Sequence, residues 1–171
     1  MEVVRRGRKK GGKRKKGGLN RFELVADSHG RDLVNLLKGA DVSFKPGARM
    51  EGVVEAAGRE GMSCTVVMGG TNDVSEEGVK RGLFKLRSKL VNNRRVVVVG
   101  VPHRYDSPYP HIENVITRKN SLLRNFCDYH GYTFLSIDNS RRDFFTQHGL
   151  HFNRKGKRWL ADRIQNAVNF L

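Results

Sequence analysis

Phe22-Glu23-Leu24-Val25-Ala26-Asp27-Ser28-His29-Gly30 decides how this chain is read. The apolar run Leu24-Val25-Ala26 stops abruptly at a small polar cluster, Asp27 to Gly30. Asp32-Leu33-Val34-Asn35-Leu36-Leu37 follows with apolar residues at helical spacing. The pattern predicts a strand, a tight turn and a helix, with a serine held at the turn. A serine at the carboxyl end of a parallel strand stands where open α/β sheets place their ligands. The amides that open the following helix are available to negative charge. The commonest role of such a serine is to cap the helix, so the rest of the chain has to decide between the two roles.

Outward from this stretch, strands and helices alternate. Val42-Ser43-Phe44-Lys45 is a short alternating strand stopped by Pro46-Gly47, and Met50 to Ala57 carries apolar residues at helical spacing. Cys64-Thr65-Val66-Val67-Met68 and Val96-Val97-Val98-Val99 are apolar, β-prone runs, closed by Gly69-Gly70 and by Gly100 and Pro102. Strands buried on both faces read this way. Between them Val79, Leu83, Leu86 and Leu90 mark a helix. His103 to Ile112, with Pro108 and Pro110, predicts a surface loop, and Ile112 to Tyr129 a long amphipathic helix. Tyr132 to Ile137 makes a fifth strand, and Lys155 to Leu171 a closing helix with Trp159, Leu160, Ile164, Val168 and Leu171 inward. Five strands alternating with helices imply the α/β class: a three-layer, doubly wound, mostly parallel five-stranded sheet with its site at the carboxyl ends of the strands.

The 171 residues carry a formal net charge of +16. Residues 1–18 hold nine Lys or Arg against one Glu, a net +8, which leaves +8 on the remainder. With paired glycines and almost nothing to bury, residues 1–18 are expected to form a disordered basic tail, and residues 19–171 a single folded domain. Arg5, Arg6, Arg8, Lys9, Lys10, Lys13, Arg14, Lys15 and Lys16 are the candidate nucleic-acid-binding set. They can neutralise phosphates of RNA or DNA and release counterions. A nuclear-localisation run, a solubilising arm or a contact with acidic lipid has the same composition. No apolar h-region follows the basic residues, and no apolar run approaches the ~20 residues of a transmembrane segment. An intracellular protein, nuclear or cytoplasmic, is expected. Cys64 and Cys127 lie far apart without metal-ligand spacing, which reads as two buried thiols outside any disulfide and excludes zinc.

Four polar clusters fall at loops expected on one edge of the sheet. They are Asp27-Ser28-His29-Gly30, Pro46-Gly47-Ala48, Gly69-Gly70-Thr71-Asn72-Asp73 and His148-Gly149-Leu150-His151-Phe152-Asn153. In this order they resemble the four blocks of the SGNH (GDSL-type) hydrolase family, over Leu19 to Leu171. The resemblance implies a flavodoxin-like SGNH hydrolase fold and a site that needs neither metal nor cofactor. Ser28 matches the family's nucleophile, in Ala-Asp-Ser-His-Gly where the pattern more usually reads Gly-Asp-Ser. Gly47 and Asn72 match the second and third blocks, whose backbone N–H and side-chain amide join the Ser28 N–H in an oxyanion hole. His151 matches the base that takes the serine proton. A hydroxyl is a weak nucleophile without an adjacent base, and each preorganised oxyanion donor is worth roughly 3–4 kcal/mol.

The fourth block departs from the family pattern Asp-x-x-His, because His148 stands where the Asp is expected. A neutral group there can cost about 10⁴ in kcat in a Ser-His-Asp enzyme. His148 through a ring nitrogen, a backbone carbonyl, Asp27 or Asp143 is left to orient His151, and the residues do not choose among them. His29 either lines the pocket or faces solvent. Tyr105, Asp106, Tyr109 and His111 either border a substrate groove or form an ordinary polar loop.

Gly69-Gly70-Thr71-Asn72-Asp73, Val101-Pro102-His103-Arg104-Tyr105-Asp106 and the 148–153 block resemble one branch in particular. It comprises the SGNH-like domains encoded by retrotransposons and transposon-derived animal genes, where the domain can accompany nucleic-acid-binding segments. This implies a serine esterase acting on small acyl or acetyl esters, lipid esters included, with a basic tail on RNA or DNA. The alternative is an SGNH-fold RNA-binding or scaffold module of retroelement origin with little or no turnover, favoured by the missing Asp and the basic core. A third reading is an assembly domain of a retroelement particle.

Overall fold

The computed structural model describes residues 21–90, 95–109 and 111–170. The basic run, its boundary at residue 19 and Leu171 lie outside the described residues. The strands β1 (Phe22–Ala26), β2 (Ala40–Phe44), β3 (Cys64–Met68), β4 (Arg95–Val99) and β5 (Thr133–Leu135) form one sheet of order β2-β1-β3-β4-β5. Every neighbouring pair is parallel. The helices are α1 (Met50–Val54), α2 (Glu76–Lys89), α3 (His111–His130) and α4 (Arg154–Asn169). The sequence-based expectation of a doubly wound α/β sheet is what forms. From β1 the chain first steps outward to β2, then crosses back to β3 on the other side. The topological switch point therefore lies at the carboxyl end of β1.

Alternation along the strands sorts the core into two layers. Phe22, Leu24 and Ala26 pack with Cys64, Val66, Met68, Val97 and Val99 beneath Leu160, Ile164 and Val168 of α4. Val25, Val67, Val96 and Val98 face the other way, against Val53 of α1, Leu83 and Leu86 of α2, and Leu123 and Cys127 of α3. The two cysteines are thus reduced thiols buried on opposite faces, and burial pushes the Cys127 thiol up to about 12. Glu23 breaks the apolar pattern of β1 without cost, since its carboxylate accepts from Gly58 N, Arg59 N and Thr65 Oγ1 at 2.6–3.0 Å. Ala26 is level with Phe44 and Met68, and Met68 with Val99. Four strands therefore end together, and their loops open on one edge.

The helix expected over Asp32–Leu37 is instead two 3-10 turns, Ser28–Gly30 and Leu33–Asn35. Between them Asp32 has φ +67°, left-handed backbone through which a right-handed helix cannot continue. The first turn also folds tightly onto β1: a Cβ at Gly30 would lie 2.5 Å from Ala26 Cβ. Helical spacing of apolar residues was present there, but the backbone turns too sharply to use it. Two other elements are shorter than their apolar patterns, α1 ending at Val54 and β5 spanning three residues. Trp159 is only half-buried. Among the described residues no helix is long and apolar enough to cross a membrane.

Candidate active site

Ser28 opens the first turn after β1, and its capping role is taken by a neighbour. Asp27 is the N-cap, its Oδ1 accepting from His29 N at 3.0 Å. This releases the serine hydroxyl, and Ser28 Oγ lies 3.1 Å from His151 Nε2. The structure thus brings together two residues 123 positions apart, within the hydrogen-bond reach that a nucleophile and its base require.

His151 reaches that position on a short hairpin. Phe145 pairs antiparallel with Phe152, and their rings stack with centroids 4.6 Å apart. Thr146 N donates to His151 O and Asn153 N to Phe144 O, both at 2.8 Å. Asn153 then caps α4 by accepting from Gly156 N at 3.0 Å, while its amide donates to the Asp143 and Phe145 carbonyls. Gly156 leaves no room for a side chain, since a Cβ there would sit 2.1 Å from Phe144 O. His151 is therefore carried by a hairpin pinned to the start of a helix.

The loops after β2 and β3 bring Gly47 and Asn72 to the same place. With Ser28, His29, Arg31, Pro46, Leu150, His151 and Lys157 they line a cleft of about 560 Å³. Gly47 has φ +73°, and Asn72 Nδ2 donates to Ala48 O at 3.0 Å, fixing the orientation of its amide. Among the described residues neither Ser28 N nor Gly47 N has an acceptor. A third, unforeseen layer holds the loop of Asn72. The amine of Lys119, on α3 and 4% exposed, donates to Gly70 O and Asp73 O at 2.9 and 2.5 Å. Asp73 in turn accepts from Met50 N at 2.8 Å, capping α1. Burial pulls the Lys119 amine below its ordinary range. Its position on a helix two elements away left no local signal in the sequence beyond a cation on the buried face, beside Asn120.

None of the three side chains considered for orienting His151 hydrogen-bonds its ring. His148 is exposed, with no hydrogen bond among the described residues. Asp143 is held by Arg141 and Lys155, which bring its carboxyl down to about 2. Asp27 is turned to His29. His151 Nδ1 has no partner among the described residues. Desolvation, then the charges of His29 and Arg31, hold the His151 imidazole below its ordinary value. His29 does not face solvent but is turned inward, 2% exposed. In the 103–112 loop Arg104 grips Asp106 at 2.6–3.0 Å, and Tyr105 N donates to Gly149 O of the His151 hairpin. None of Tyr105, Asp106, Tyr109 and His111 lines the cleft.

This fold is that of the GDSL/SGNH lipases and esterases. The chain superposes on the C-terminal catalytic domain of peptidoglycan O-acetyltransferase A from Streptococcus pneumoniae with a TM-score of 0.72 and 15% identity, over 88% of this chain and 93% of that one. A GDSL-like lipase from Bacteroides thetaiotaomicron gives 0.70 and 14%, over 88% of each chain. The esterase domain of the ORF1 protein of the zebrafish ZfL2-1 retrotransposon gives 0.51 and 20%, over 88% of this chain and 99% of that one. No protein-family model and no curated protein matches the chain.

Proposed function

We propose that the chain is a serine esterase of SGNH type acting on small acyl or acetyl esters. The observation that carries the reading is the 3.1 Å approach of Ser28 Oγ to His151 Nε2 at the mouth of a cleft that Gly47 and Asn72 also line. Ser28 Oγ attacks the ester carbonyl as its proton passes to His151 Nε2. The tetrahedral oxyanion is received by Ser28 N–H, Gly47 N–H and Asn72 Nδ2. The alcohol leaves with the proton from His151, giving an acyl-serine. Water then attacks, again deprotonated by His151, and the carboxylic acid departs as Ser28 regains its proton. Every group in the cycle comes from the chain. The acyl chemistry of proteins with the same fold, a lipase, an esterase domain and an O-acetyltransferase, supports this class. In this reading residues 1–18 hold RNA or DNA by their nine cations, beside a core that processes an ester.

A second reading has one observation in its favour: among the described residues no carboxylate hydrogen-bonds His151, so turnover is slow and the domain serves as a binding or scaffold module. Hydrolysis of p-nitrophenyl acetate by the full chain, compared with Ser28→Ala, separates the two. Turnover lost in the variant supports the esterase. A rate equal in both, or none above buffer, refutes it.

A further inference from the structure

A buried Asp–His pair flanks Ser28 in the sequence. The side chains of Asp27 and His29 are each 1% exposed. His29 Nδ1 is 3.0 Å from Asp27 Oδ1, and its Nε2 is 3.1 Å from Leu150 O. With Asp27 ionised both partners are acceptors, so both ring nitrogens have to donate, and only the imidazolium carries two N–H groups. The Asp27 carboxylate supplies the countercharge that a buried cation needs. Leu150 immediately precedes His151, and the two imidazole rings lie 5.3 Å apart, centroid to centroid.

We infer that His29 is a positioning residue: as an imidazolium paired with Asp27 it anchors the Leu150 carbonyl and so sets His151 against Ser28 through the main chain, in place of a carboxylate on the imidazole ring. This rests on the esterase reading above. The substitution has an electrostatic consequence. An orienting carboxylate would favour the charged form of the base, whereas a neighbouring cation disfavours it. The groups around His151 can be named from each element. His29, Arg31, Asp27 and Asp32 come from the turns after β1, Lys157 from α4, and Asp106 with Arg104 from the loop after β4. Lys157 neutralises Asp32 at 2.7 Å, and Arg104 neutralises Asp106. Asp27 and His29 cancel at a distance, but His29 is the nearer of the pair to the Leu150–His151 backbone. The site is therefore built around a base that stays neutral into mildly acidic solution and gains little help when it charges.

Two variants divide the anchor from the charge. His29→Gln keeps a donor for Leu150 O and removes the cation; His29→Leu removes both. Ring ¹⁵N and ¹H NMR of the full chain reads the proton count on His29 and the titration midpoint of His151, whether or not the protein turns over. In the wild type His29 should show two protonated nitrogens. In His29→Gln the His151 midpoint should rise by about 0.5–1 pH unit, the shift from a unit charge at about 5 Å in a largely aqueous field, with kcat within about threefold of wild type. His29→Leu should lose about 10- to 100-fold in kcat at little change in KM, as misplacement of a catalytic group does. Asp27→Asn, should the His29 variants fail to fold, should strip the second proton from His29. A His29 ring with one bare nitrogen in the wild type, or an unmoved His151 midpoint in His29→Gln, overturns the inference. An active wild type with a neutral His29 refutes this inference and leaves the esterase reading standing; an inactive wild type with the imidazolium in place refutes the esterase reading alone.

Discussion

Replacing Asn72 by Ala should remove one of the oxyanion donors proposed above while leaving the fold close to intact. Asn72 spends one N–H on Ala48 O at 3.0 Å, which leaves the second for the developing oxyanion in the cleft it lines. A preorganised donor of this kind is worth about 2.7–4 kcal/mol, so kcat should fall about 10²- to 10³-fold. The bond is made in the transition state and not in the ground state, so KM should stay nearly unchanged. The lost bond to Ala48 O costs stability about 1 kcal/mol, or about 2–4 °C in Tm for a domain of this size. Asn72→Asp keeps the size and sets a negative charge against the oxyanion, so it should lose at least as much. Initial rates on p-nitrophenyl acetate, with thermal melts of each variant, make the test. A kcat within about threefold of wild type in a folded Asn72→Ala protein, or a loss confined to KM, would refute the role given to this side chain.

Four further outcomes are expected. In the proposed mechanism the neutral His151 is the working base, and burial with the charges of His29 and Arg31 lowers its pKa from 6.5; kcat/KM should therefore fall on acidification with a midpoint below 6.5, and a midpoint above it would contradict the assignment. Lys119→Met leaves the Asp73 carbonyl without its donor beneath the Asn72 loop and the Gly70 carbonyl with only the 3.4 Å bond from Asp73 N, at a cost of about 1–3 kcal/mol, so both Tm and kcat should drop. Gly156→Ala forces a Cβ against Phe144 O; it should destabilise by about 1–3 kcal/mol or more and depress kcat by moving the His151 hairpin, whereas an unchanged melt would refute the packing described. Removal of residues 1–18 should abolish the steeply salt-dependent part of RNA binding, measured by fluorescence anisotropy at two ionic strengths; binding that survives would move the nucleic-acid surface to the core.

The parallel sheet was legible because its strands are short runs of β-prone apolar residues, and Cys64–Met68 and Arg95–Val99 fall almost where those runs lie. The level ends of β1, β2 and β3 explain why four polar blocks far apart in sequence share one edge. Periodicity misled at Asp32–Leu37, where one residue with positive φ outweighs the spacing of Leu33, Leu36 and Leu37. The site was legible as far as it rests on residue types at loop positions: Ser28, Gly47, Asn72 and His151 all line the cleft. What local sequence could not carry was support arriving through space. Lys119 beneath the Asn72 loop and the inward turn of His29 toward Leu150 O both depend on burial and partners distant in the chain. The orienter of His151 was sought among side chains, and none of the three reaches the ring.

The measurement that bears most directly on the central claim is the reactivity of Ser28 in the full chain. A fluorophosphonate probe, with peptide mapping by mass spectrometry, reports whether that hydroxyl is activated, independently of the natural ester. Labelling at Ser28 alone, absent in Ser28→Ala and strongly reduced in His151→Ala, is the predicted result. A folded chain that takes no label, or one that labels equally well without His151, would contradict it.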